Sequence, residues 1–240
     1  MRQRASVLAV IPARAGSKRL PGKNVRQLAG LPLIVWTIRT ALASGVFDGI
    51  LVSTDDAAIA ALAIEYGASA PWLRPSEIST DNATSVDVVL HALSTWESAE
   101  GAPVDSVMLL QPTSPFRSVE TIRRAVDLHI QAANVPVVSV CPAKAHPAWC
   151  FLVNAEGHMR GYVDNGERPA RSQDLSPVYQ LNGSVYLATA HDLRHERSFF
   201  SPRTRALVVM PPEESIDIDD AWDWQLAECI AASLSSGERA

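Results

Sequence analysis

The sequence predicts an α/β fold with a doubly wound, mostly parallel sheet, on two observations. First, short apolar runs rich in β-branched residues alternate with segments of helical period along residues 6–141. Strands that are separated by helices are joined by right-handed parallel crossovers. Second, the chain has 240 residues, of which 47% are apolar, enough for one large domain with a substantial core. We therefore expect a single domain over residues 1–240.

The predicted elements follow in chain order. The first strand spans 6–11, and the helix at 32–43 begins with Pro32, which suits a first turn because its missing N–H has no partner there. Gly45 lies just past the end of that helix, as is typical of a helix C-terminus. The remaining elements are a strand at 50–53, a helix at 56–66, a helix at 82–96, a strand at 106–110, a helix at 119–132 and a strand at 136–141.

The alternation stops after Cys141. Residues 142–180 are rich in Pro and Gly and contain only short extended pieces, which predicts an inserted arm instead of another strand–helix unit. Residues 190–204 are assigned to the same arm. Strands are predicted again at 181–189 and 206–210, and a helix within 215–232 completes the pattern.

Composition argues against several function classes. The formal net charge of −5 disfavours general nucleic-acid binding, which requires a basic surface. No apolar run approaches the roughly 20 residues that cross a bilayer, so we expect no membrane partner and a cytoplasmic location. The three cysteines lack C-x-x-C spacing, which argues against a disulfide framework or a zinc site.

The loop after the first strand is the most informative segment. Residues 13–24 (the opening loop) read Ala-Arg-Ala-Gly-Ser-Lys-Arg-Leu-Pro-Gly-Lys-Asn, so a buried strand runs into Gly, Pro and four cations. Gly allows close approach of a ligand, and Arg and Lys bind phosphate oxygens. This is not a Walker A motif, because five residues separate Gly16 from Gly22 and Asn24 replaces the magnesium-binding hydroxyl. It predicts a polyphosphate site, with a solvated basic turn as the alternative.

Two further polar segments follow predicted strands, whose carboxyl ends form the ligand-binding edge of such a sheet. In residues 53–56, Asp56 is expected to cap the next helix in preference to binding a hydroxyl or a metal. Residues 111–117 (the proline loop) read Gln-Pro-Thr-Ser-Pro-Phe-Arg. Two prolines stiffen this loop, which is expected to present amide, hydroxyl and guanidinium groups to the crevice.

An acidic segment, residues 214–220, precedes the last helix. Its alternation places Asp217 and Asp219 on one side of an extended stretch, where two carboxylates can share a hard cation. The alternative is that Asp219 and Asp220 only cap the helix, which leaves Asp217 unexplained.

Four motifs together resemble the N-acylneuraminate cytidylyltransferase (CMP-sialic acid synthetase) family, including its members for legionaminic-type sugars. They are the opening loop, Leu-Gln-Pro-Thr-Ser-Pro-x-Arg at 110–117, Asn-Gly-Ser-Val-Tyr at 182–186 and Ser-Ile-Asp-Ile-Asp at 215–219. The resemblance implies a Rossmann-like nucleotidyltransferase fold that converts CTP and a nine-carbon acidic sugar, a nonulosonic acid, to the CMP-sugar and pyrophosphate. It also implies Mg²⁺ as cofactor and a homodimer paired through the arm.

The resemblance assigns residue roles as well. The implied nucleotide contacts are Ala13, Arg14, Ser17, Lys18, Lys23, Asn24 and, near the cytosine, Ser85, which helix capping alone would also explain. The implied sugar contacts are Gln111, Arg171, Asn182, Tyr186, Phe199 and Phe200; the two Phe would project into the partner's site or, equally, pack in the core. Arg14, Lys18 and Lys23 would hold the leaving pyrophosphate. Asp217 and Asp219 would bind magnesium, with Asp217 also a proton acceptor.

The identity of the sugar stays open at this level. Residues 168–175 resemble those of members acting on diamino sugars such as legionaminic acid, and Trp149 either contacts the sugar tail or is buried in the arm. The alternative functions are activation of an eight-carbon 3-deoxy-octulosonic acid and nucleotide binding by a regulatory domain without turnover.

Overall fold

The structure, a computed structural model, describes residues 5–163 and 171–237. Its strands are β1 (Val7–Pro12), β2 (Gln27–Leu28), β3 (Leu31–Pro32), β4 (Gly49–Ser53), β5 (Ser106–Leu109), β6 (Val137–Pro142), β7 (Phe151–Val153), β8 (Met159–Gly161), β9 (Tyr179–Thr189) and β10 (Arg205–Val208). Its helices are α1 (Leu33–Ser44), α2 (Ala57–Glu65), α3 (Ser85–Glu100), α4 (Val119–Gln131), α5 (Ala190–Glu196) and α6 (Ala221–Gly237).

The central sheet has six strands in the order β10-β6-β9-β5-β1-β4. β1 pairs parallel with both β4 and β5, and β10 pairs parallel with β6. β9 runs antiparallel to both of its neighbours, β5 and β6. Between β6 and β9 the described residues form the β7–β8 hairpin and short 3-10 turns in place of a crossover α-helix, and β9 returns antiparallel beside β6. The predicted doubly wound, mostly parallel sheet is confirmed.

The strand order reverses at β1, because the chain passes from β1 to β4 on one side and later to β5 on the other. In such sheets, ligands bind at the carboxyl ends of the strands that flank the reversal. β1 ends at Pro12 and β5 at Leu109, immediately before the opening loop and the proline loop. The topology therefore brings these two distant segments to one edge of the sheet.

Both faces of the sheet are covered by helices. Ala9 and Ile11 of β1 pack in a cluster with side chains of α1, α2 and α4, whereas Leu8 and Val10 pack in a second cluster with α3 and α5. This period of two is what a fully buried central strand requires. Within the described ranges, no helix has both the length and the hydropathy needed to span a bilayer.

The clearest boundary difference lies at α3, which begins at Ser85 and not at residue 82. Thr84 is the cap: its hydroxyl accepts a hydrogen bond from Asp87 N at 3.1 Å, and the Asp87 carboxylate accepts from Thr84 N in return. This capping box ends the preceding loop and leaves Ser85 as the first helical residue.

Candidate active site

A cleft of about 390 Å³ opens at the carboxyl ends of β1 and β5. Its walls come from the opening loop, from the start of the proline loop and from Asp219 of the acidic segment. Residues more than 190 positions apart therefore meet in one site, as Lys23 and Asp219 illustrate. We call this space the binding cleft.

The opening loop is fixed at its ends by hydrogen bonds. Ala13 is buried and its N–H donates to Ser53 O at 2.9 Å, so the backbone still follows the sheet there. Ala15 N donates to Asp55 Oδ1 at 3.0 Å, and the buried Asn24 amide donates to Arg14 O at 3.0 Å. Asn24 thus closes the loop on itself at the position that a Walker A motif gives to a hydroxyl.

Two cations of the opening loop share one carboxylate, that of Asp81. Arg14 Nη1 lies 2.6 Å from Asp81 Oδ1, and Lys18 Nζ pairs with Oδ2 of the same carboxylate. The hydrogen bonds from Lys18 and Arg14 lower the pKa of Asp81. Because both cations converge on one anion, an oxygen of a phosphate between them would meet the same two donors. Ser17 also lines this part of the cleft.

Lys23 connects the opening loop to the acidic segment. Its side chain is buried, and Nζ donates to Ile218 O at 2.5 Å and lies 3.5 Å from Asp219 Oδ1. Arg19 Nη2 donates to Asp219 Oδ2 at 2.9 Å. Burial lowers the pKa of Lys23, while the charges of Asp219 and Asp217 oppose that shift. Asp219 therefore already has two cationic neighbours in the opening loop.

The acidic segment alternates as predicted. Ile216 and Ile218 are buried in a core cluster, which turns Asp217 and Asp219 to the other side. Asp220 caps α6 by accepting from Trp222 N at 2.8 Å and Asp223 N at 3.0 Å, so Asp217 and Asp219 are left for another role.

The carboxylate of Asp217 lies against the proline loop. Burial raises its pKa, a hydrogen bond with the Thr113 side chain opposes the shift, and the neighbouring Asp219 charge adds to it. The backbone is joined at the same point, because Ile218 N donates to Thr113 O at 2.8 Å.

The acidic pair fits a magnesium ion. No group of three or more His, Cys, Asp or Glu side chains that could hold a metal occurs within residues 5–163 and 171–237. Mg²⁺ does not need such a cage, since it is usually bound by one or two carboxylates, with substrate phosphates and water completing its shell. Asp217 and Asp219 are two hard oxygen donors beside the opening loop, and the charge of Asp219 adds to the rise of the Asp217 pKa, an effect that a bound cation would offset.

Gly183 of β9 forms a close-packed wall with Gln111 and Ser114 of the proline loop, beside Asp217. Its φ is +73°, and a Cβ at this position would lie 3.0 Å from Gln111 Oε1, 3.2 Å from Ser114 Oγ and 3.8 Å from Asp217 Oδ2. A side chain would therefore meet three polar groups of the site. The Asn-Gly motif marked this strand in the sequence, but the need for glycine follows from its positive φ and from the close contact with the proline loop, which the sequence does not show.

Asn182 lies behind this wall, with 3% of its surface exposed. Its Oδ1 accepts from Ser139 Oγ at 2.6 Å and from Ser184 N at 3.2 Å. Its Nδ2, together with Ser114 Oγ and Ser184 Oγ, is buried without a hydrogen-bond partner among the described residues. Such groups cost about 1–3 kcal/mol each, so their concentration beside Gln111 and Gly183 is expected where a ligand or water completes the bonding.

The aromatic residues of the predicted sugar site divide between core and surface. Phe199 is only 4% exposed and packs in the core cluster of α3 and α5, 5.8 Å from the Tyr186 ring centroid. Of the two alternatives for Phe199, a partner's site or the core, packing in the core is confirmed, because this chain's own core holds the ring. Phe200 is 48% exposed, 6.3 Å from the Tyr186 ring. Burial and the Asp217 charge raise the pKa of Tyr186.

A second cavity of about 300 Å³, the base cavity, shares Arg14, Asp81 and Gln111 with the binding cleft. Ser85 lines it, free of the capping role that Thr84 fills. Arg74 lines it too: this buried side chain donates from Nε to Ser79 Oγ at 3.0 Å, and burial lowers its pKa. Sequence reasoning missed Arg74, which belongs to no motif or periodic pattern, and gave no role to Asp81, although the segment 80–85 that contains it resembles the family's loop near the cytosine.

The arm carries the remaining predicted residues. Trp149 is 47% exposed, which contradicts the alternative that it is buried in the arm, and its contact with the sugar tail stays a prediction; its ring contacts His146 edge to face. Arg171 is exposed, and its role stays a prediction. Of the segment 168–175, residues 168–170 lie outside the described residues.

Comparison with known proteins relates this chain to a family of enzymes. A model of the cytidylyltransferase family matches residues 8–217. The chain is 46% identical over 228 residues to a CMP-N,N'-diacetyllegionaminic acid synthase of Legionella pneumophila, covering 92% of this chain and 94% of that protein. It is 33% identical over 223 residues to a pseudaminic acid cytidylyltransferase of Campylobacter jejuni, covering 93% and 95%.

Two further similarities are more limited. An N-acylneuraminate cytidylyltransferase of Streptococcus agalactiae is 36% identical over 219 residues, which cover 90% of this chain but 51% of that longer protein. A solved CMP:2-keto-3-deoxy-manno-octonic acid synthetase complexed with CTP superposes with a TM-score of 0.70 at 17% identity, covering 95% of this chain and 99% of that one. At that identity the likeness concerns the fold.

Proposed function

The chain belongs to the cytidylyltransferase family, and on that premise we propose that it activates a nine-carbon acidic sugar with CTP. The anomeric hydroxyl oxygen of the sugar bonds to the α-phosphorus of CTP, the bond from that phosphorus to the β-phosphate oxygen breaks, and pyrophosphate leaves with its electron pair. The products are the CMP-sugar and pyrophosphate. The observation that supports this proposal most is the meeting of the opening loop, the proline loop and the acidic segment in one cleft.

The nucleotide would occupy the opening-loop side. Its β- and γ-phosphates would replace Asp81 between Arg14 and Lys18, and Ser17 and Asn24 would line the same stretch. The cytosine would enter the base cavity, where the Ser85 hydroxyl and Arg74 guanidinium can hydrogen-bond its polar edge. Lys23, which lies beside Asp219, would stand near the α-phosphate and stabilise charge on the breaking bond.

The sugar would lie against Gly183, with the Gln111 amide, Asn182 Nδ2 and Tyr186 as the polar groups that orient its hydroxyls and carboxylate. This arrangement would direct the anomeric hydroxyl toward the α-phosphorus, and orientation alone is worth about 7–11 kcal/mol in well-aligned reactions. Asp217 would accept the hydroxyl proton. Burial raises the pKa of Asp217 in the metal-free protein, and bound Mg²⁺ would lower it, so the carboxylate would be ionised and able to take the proton.

Asp217 and Asp219 would hold Mg²⁺, which when bound supplies positive charge to the reacting phosphate oxygens. Arg19 and Lys23 would then share Asp219 with the ion or turn to the phosphates. The two carboxylates and the two cations together keep this side of the cleft close to neutral before the substrates bind.

We propose a legionaminic-type acid as the substrate. The 46% identity to the Legionella synthase extends over nearly the full length of both chains, whereas the pseudaminic and neuraminic relatives share 33% and 36%. An exposed Trp149 suits an acylated, deoxygenated tail, because an apolar ring gains nothing from hydroxyls that it must desolvate.

A homodimer and a cytoplasmic location are the remaining parts of the proposal. Large apolar side chains are exposed on the β7–β8 hairpin and at the start of β9, among them Leu152, Val153, Met159, Tyr162 and Tyr179. An exposed apolar patch of this kind marks an interaction surface. A second copy of the chain, paired through this arm, would cover it, and a cytoplasmic enzyme would have direct access to CTP.

The test is pyrophosphate release from CTP and Mg²⁺ with a panel of legionaminic, neuraminic, pseudaminic and 3-deoxy-octulosonic acids. We expect turnover with at least one nine-carbon acid and the highest kcat/KM with N,N'-diacetyllegionaminic acid. Turnover with the eight-carbon acid alone would reject the proposal. CTP binding without turnover on any acid would instead support a regulatory domain.

A further inference from the structure

The last residue of the proline loop, Arg117, does not face the binding cleft. The sequence predicted that its guanidinium points to the crevice, but the side chain is buried in the interior with 2% of its surface exposed. A buried guanidinium is costly unless its donors are satisfied. The groups that accept hydrogen bonds from Arg117 therefore indicate its role.

Arg117 connects three separate elements. Nε donates to Ser184 O of β9 at 2.5 Å, Nη2 donates to Gln111 O at the start of the proline loop at 3.0 Å, and Nη1 donates to Thr37 Oγ1 of α1 at 3.4 Å. Burial lowers the pKa of Arg117 to about 9, and the Glu214 charge opposes the shift, so the group is cationic at neutral pH. The Glu214 carboxylate is itself buried and accepts from Ser118 N at 3.1 Å.

These contacts surround the acidic-sugar side of the cleft. The Gln111 side chain lies against the Gly183 backbone in this wall, since a Cβ on Gly183 would lie 3.0 Å from Gln111 Oε1. The Arg117 guanidinium donates to a carbonyl on each side of that contact, Ser184 O and Gln111 O. Asp217 is joined to the same loop through Thr113. The spacing of Gln111, Gly183 and Asp217 thus depends on the loop that Arg117 holds.

We propose that Arg117 is a positioning residue that sets the geometry of the acidic-sugar side of the site without touching either substrate. This inference rests on the proposed function, which places the sugar against Gln111 and Gly183. The opening loop on the nucleotide side is held by other bonds, from Ala15 to Asp55 and from Asn24 to Arg14, and neither of them involves Arg117. Lysine cannot replace the guanidinium, because it lacks the planar fork that reaches two carbonyls at once.

The experiment compares Arg117→Lys with Arg123→Lys. Arg123 makes the same kind of contact, donating to Ser44 O at 3.0 Å and Ala43 O at 3.3 Å, but at the C-terminal end of α1, away from the cleft. For Arg117→Lys we expect the KM for the nonulosonic acid to rise about tenfold or more, because small misplacements of orienting groups have large kinetic effects. The KM for CTP should stay within about twofold, and Arg123→Lys should change neither KM by more than that.

Two results would contradict the positioning role of Arg117. An unchanged KM for the acid in Arg117→Lys, or an equal rise of both KM values, overturns the positioning role. If Arg117→Lys does not fold by circular dichroism, Glu214→Gln decides, since the amide oxygen keeps the bond from Ser118 N but loses the charge facing the guanidinium. A selective rise of the acid KM is expected there, and no change overturns the inference.

Gln111→Ala, measured in parallel, separates this inference from the proposed function. If Gln111→Ala leaves the KM for the acid unchanged, the assignment of the sugar to this wall fails. If Gln111→Ala raises that KM while Arg117→Lys does not, only the positioning role is wrong.

Discussion

The two sides of the binding cleft are built on different physical principles. On the nucleotide side, exposed cations of the opening loop are paired with acidic side chains: Arg14 and Lys18 with Asp81, and Arg19 with Asp219. The Lys18 side chain is 80% exposed. On the sugar side, Gln111, Ser114 and Asn182 contribute neutral polar atoms, several of them buried, that lie within bonding reach of a close-packed backbone.

This difference follows from what each side would bind. A triphosphate carries its own charge, so it can exchange with Asp81 between flexible cations, and the binding tolerates small displacements. A sugar offers hydroxyls whose hydrogen bonds depend steeply on distance and angle. We therefore expect substitutions on the nucleotide side to have graded, salt-sensitive effects, and substitutions on the sugar side to have large effects that are insensitive to salt.

The largest effect is expected where the two sides meet, at Asp219. Asp219→Asn should lower turnover by roughly 100-fold or more, because loss of outer-shell partners of a metal already costs about 10–100-fold. It should also raise the Mg²⁺ concentration needed for half-maximal pyrophosphate release. Asp220→Asn is the matched control, since the neighbouring residue caps α6 and Asn caps equally well. If Asp219→Asn and Asp220→Asn lose turnover equally, the proposal that Asp219 binds Mg²⁺ is wrong.

The next largest effect tests the close-packed wall. Gly183→Ala should raise the KM for the acid about tenfold or more and leave the KM for CTP nearly unchanged, because the new methyl would displace Gln111 Oε1. Gly101→Ala carries the same backbone strain at φ +67°, but a Cβ there meets no atom within 4 Å. We expect both variants to lose a similar amount of melting temperature. A rise of the acid KM in Gly183→Ala alone would support a sugar side that depends on close packing. A matching rise of the CTP KM would contradict it.

Local pattern predicted one kind of feature well. The alternation of Ile216 and Ile218 with Asp217 and Asp219 predicts that the two Ile side chains are buried, and the structure buries both. The cap at Asp56 is likewise local: its carboxylate accepts from Ala58 N at 2.7 Å, as expected.

Contacts between distant segments could not be predicted in this way. Asp81 meets Arg14 only because the loop before α3 folds beside β1, and no periodicity encodes that approach. The motif ending in Arg117 gave the residue type but not the direction of its side chain, which depends on a hydroxyl of α1 and on carbonyls of β9 and the proline loop. Phe199 was left undecided for the same reason: an aromatic pair is typical of both cores and interfaces.

An intermediate effect is expected in the base cavity. Ser85→Ala should raise the KM for CTP about three- to tenfold, which corresponds to the roughly 0.5–1.5 kcal/mol of one hydrogen bond, without changing the KM for the acid. Ser98→Ala on the same helix removes a hydroxyl that only donates to Ser94 O, and should leave both KM values unchanged. If Ser85→Ala alters the acid KM instead, the base is not bound in this cavity.

The smallest effect, and the one most specific to the charged side, is expected from Asp81→Asn. Without the carboxylate, Arg14 and Lys18 need not exchange an ion pair for a phosphate, so the affinity for CTP and for pyrophosphate should increase about two- to threefold at low ionic strength. The gain should vanish at high salt, because exposed pairs are screened. Glu77→Gln removes one charge from the neighbouring turn Ser76–Ile78 and controls for a general change of potential. Weaker binding in Asp81→Asn would mean that the carboxylate orders the cations for the phosphates and does not compete with them, and the two sides of the cleft would then be preorganised alike.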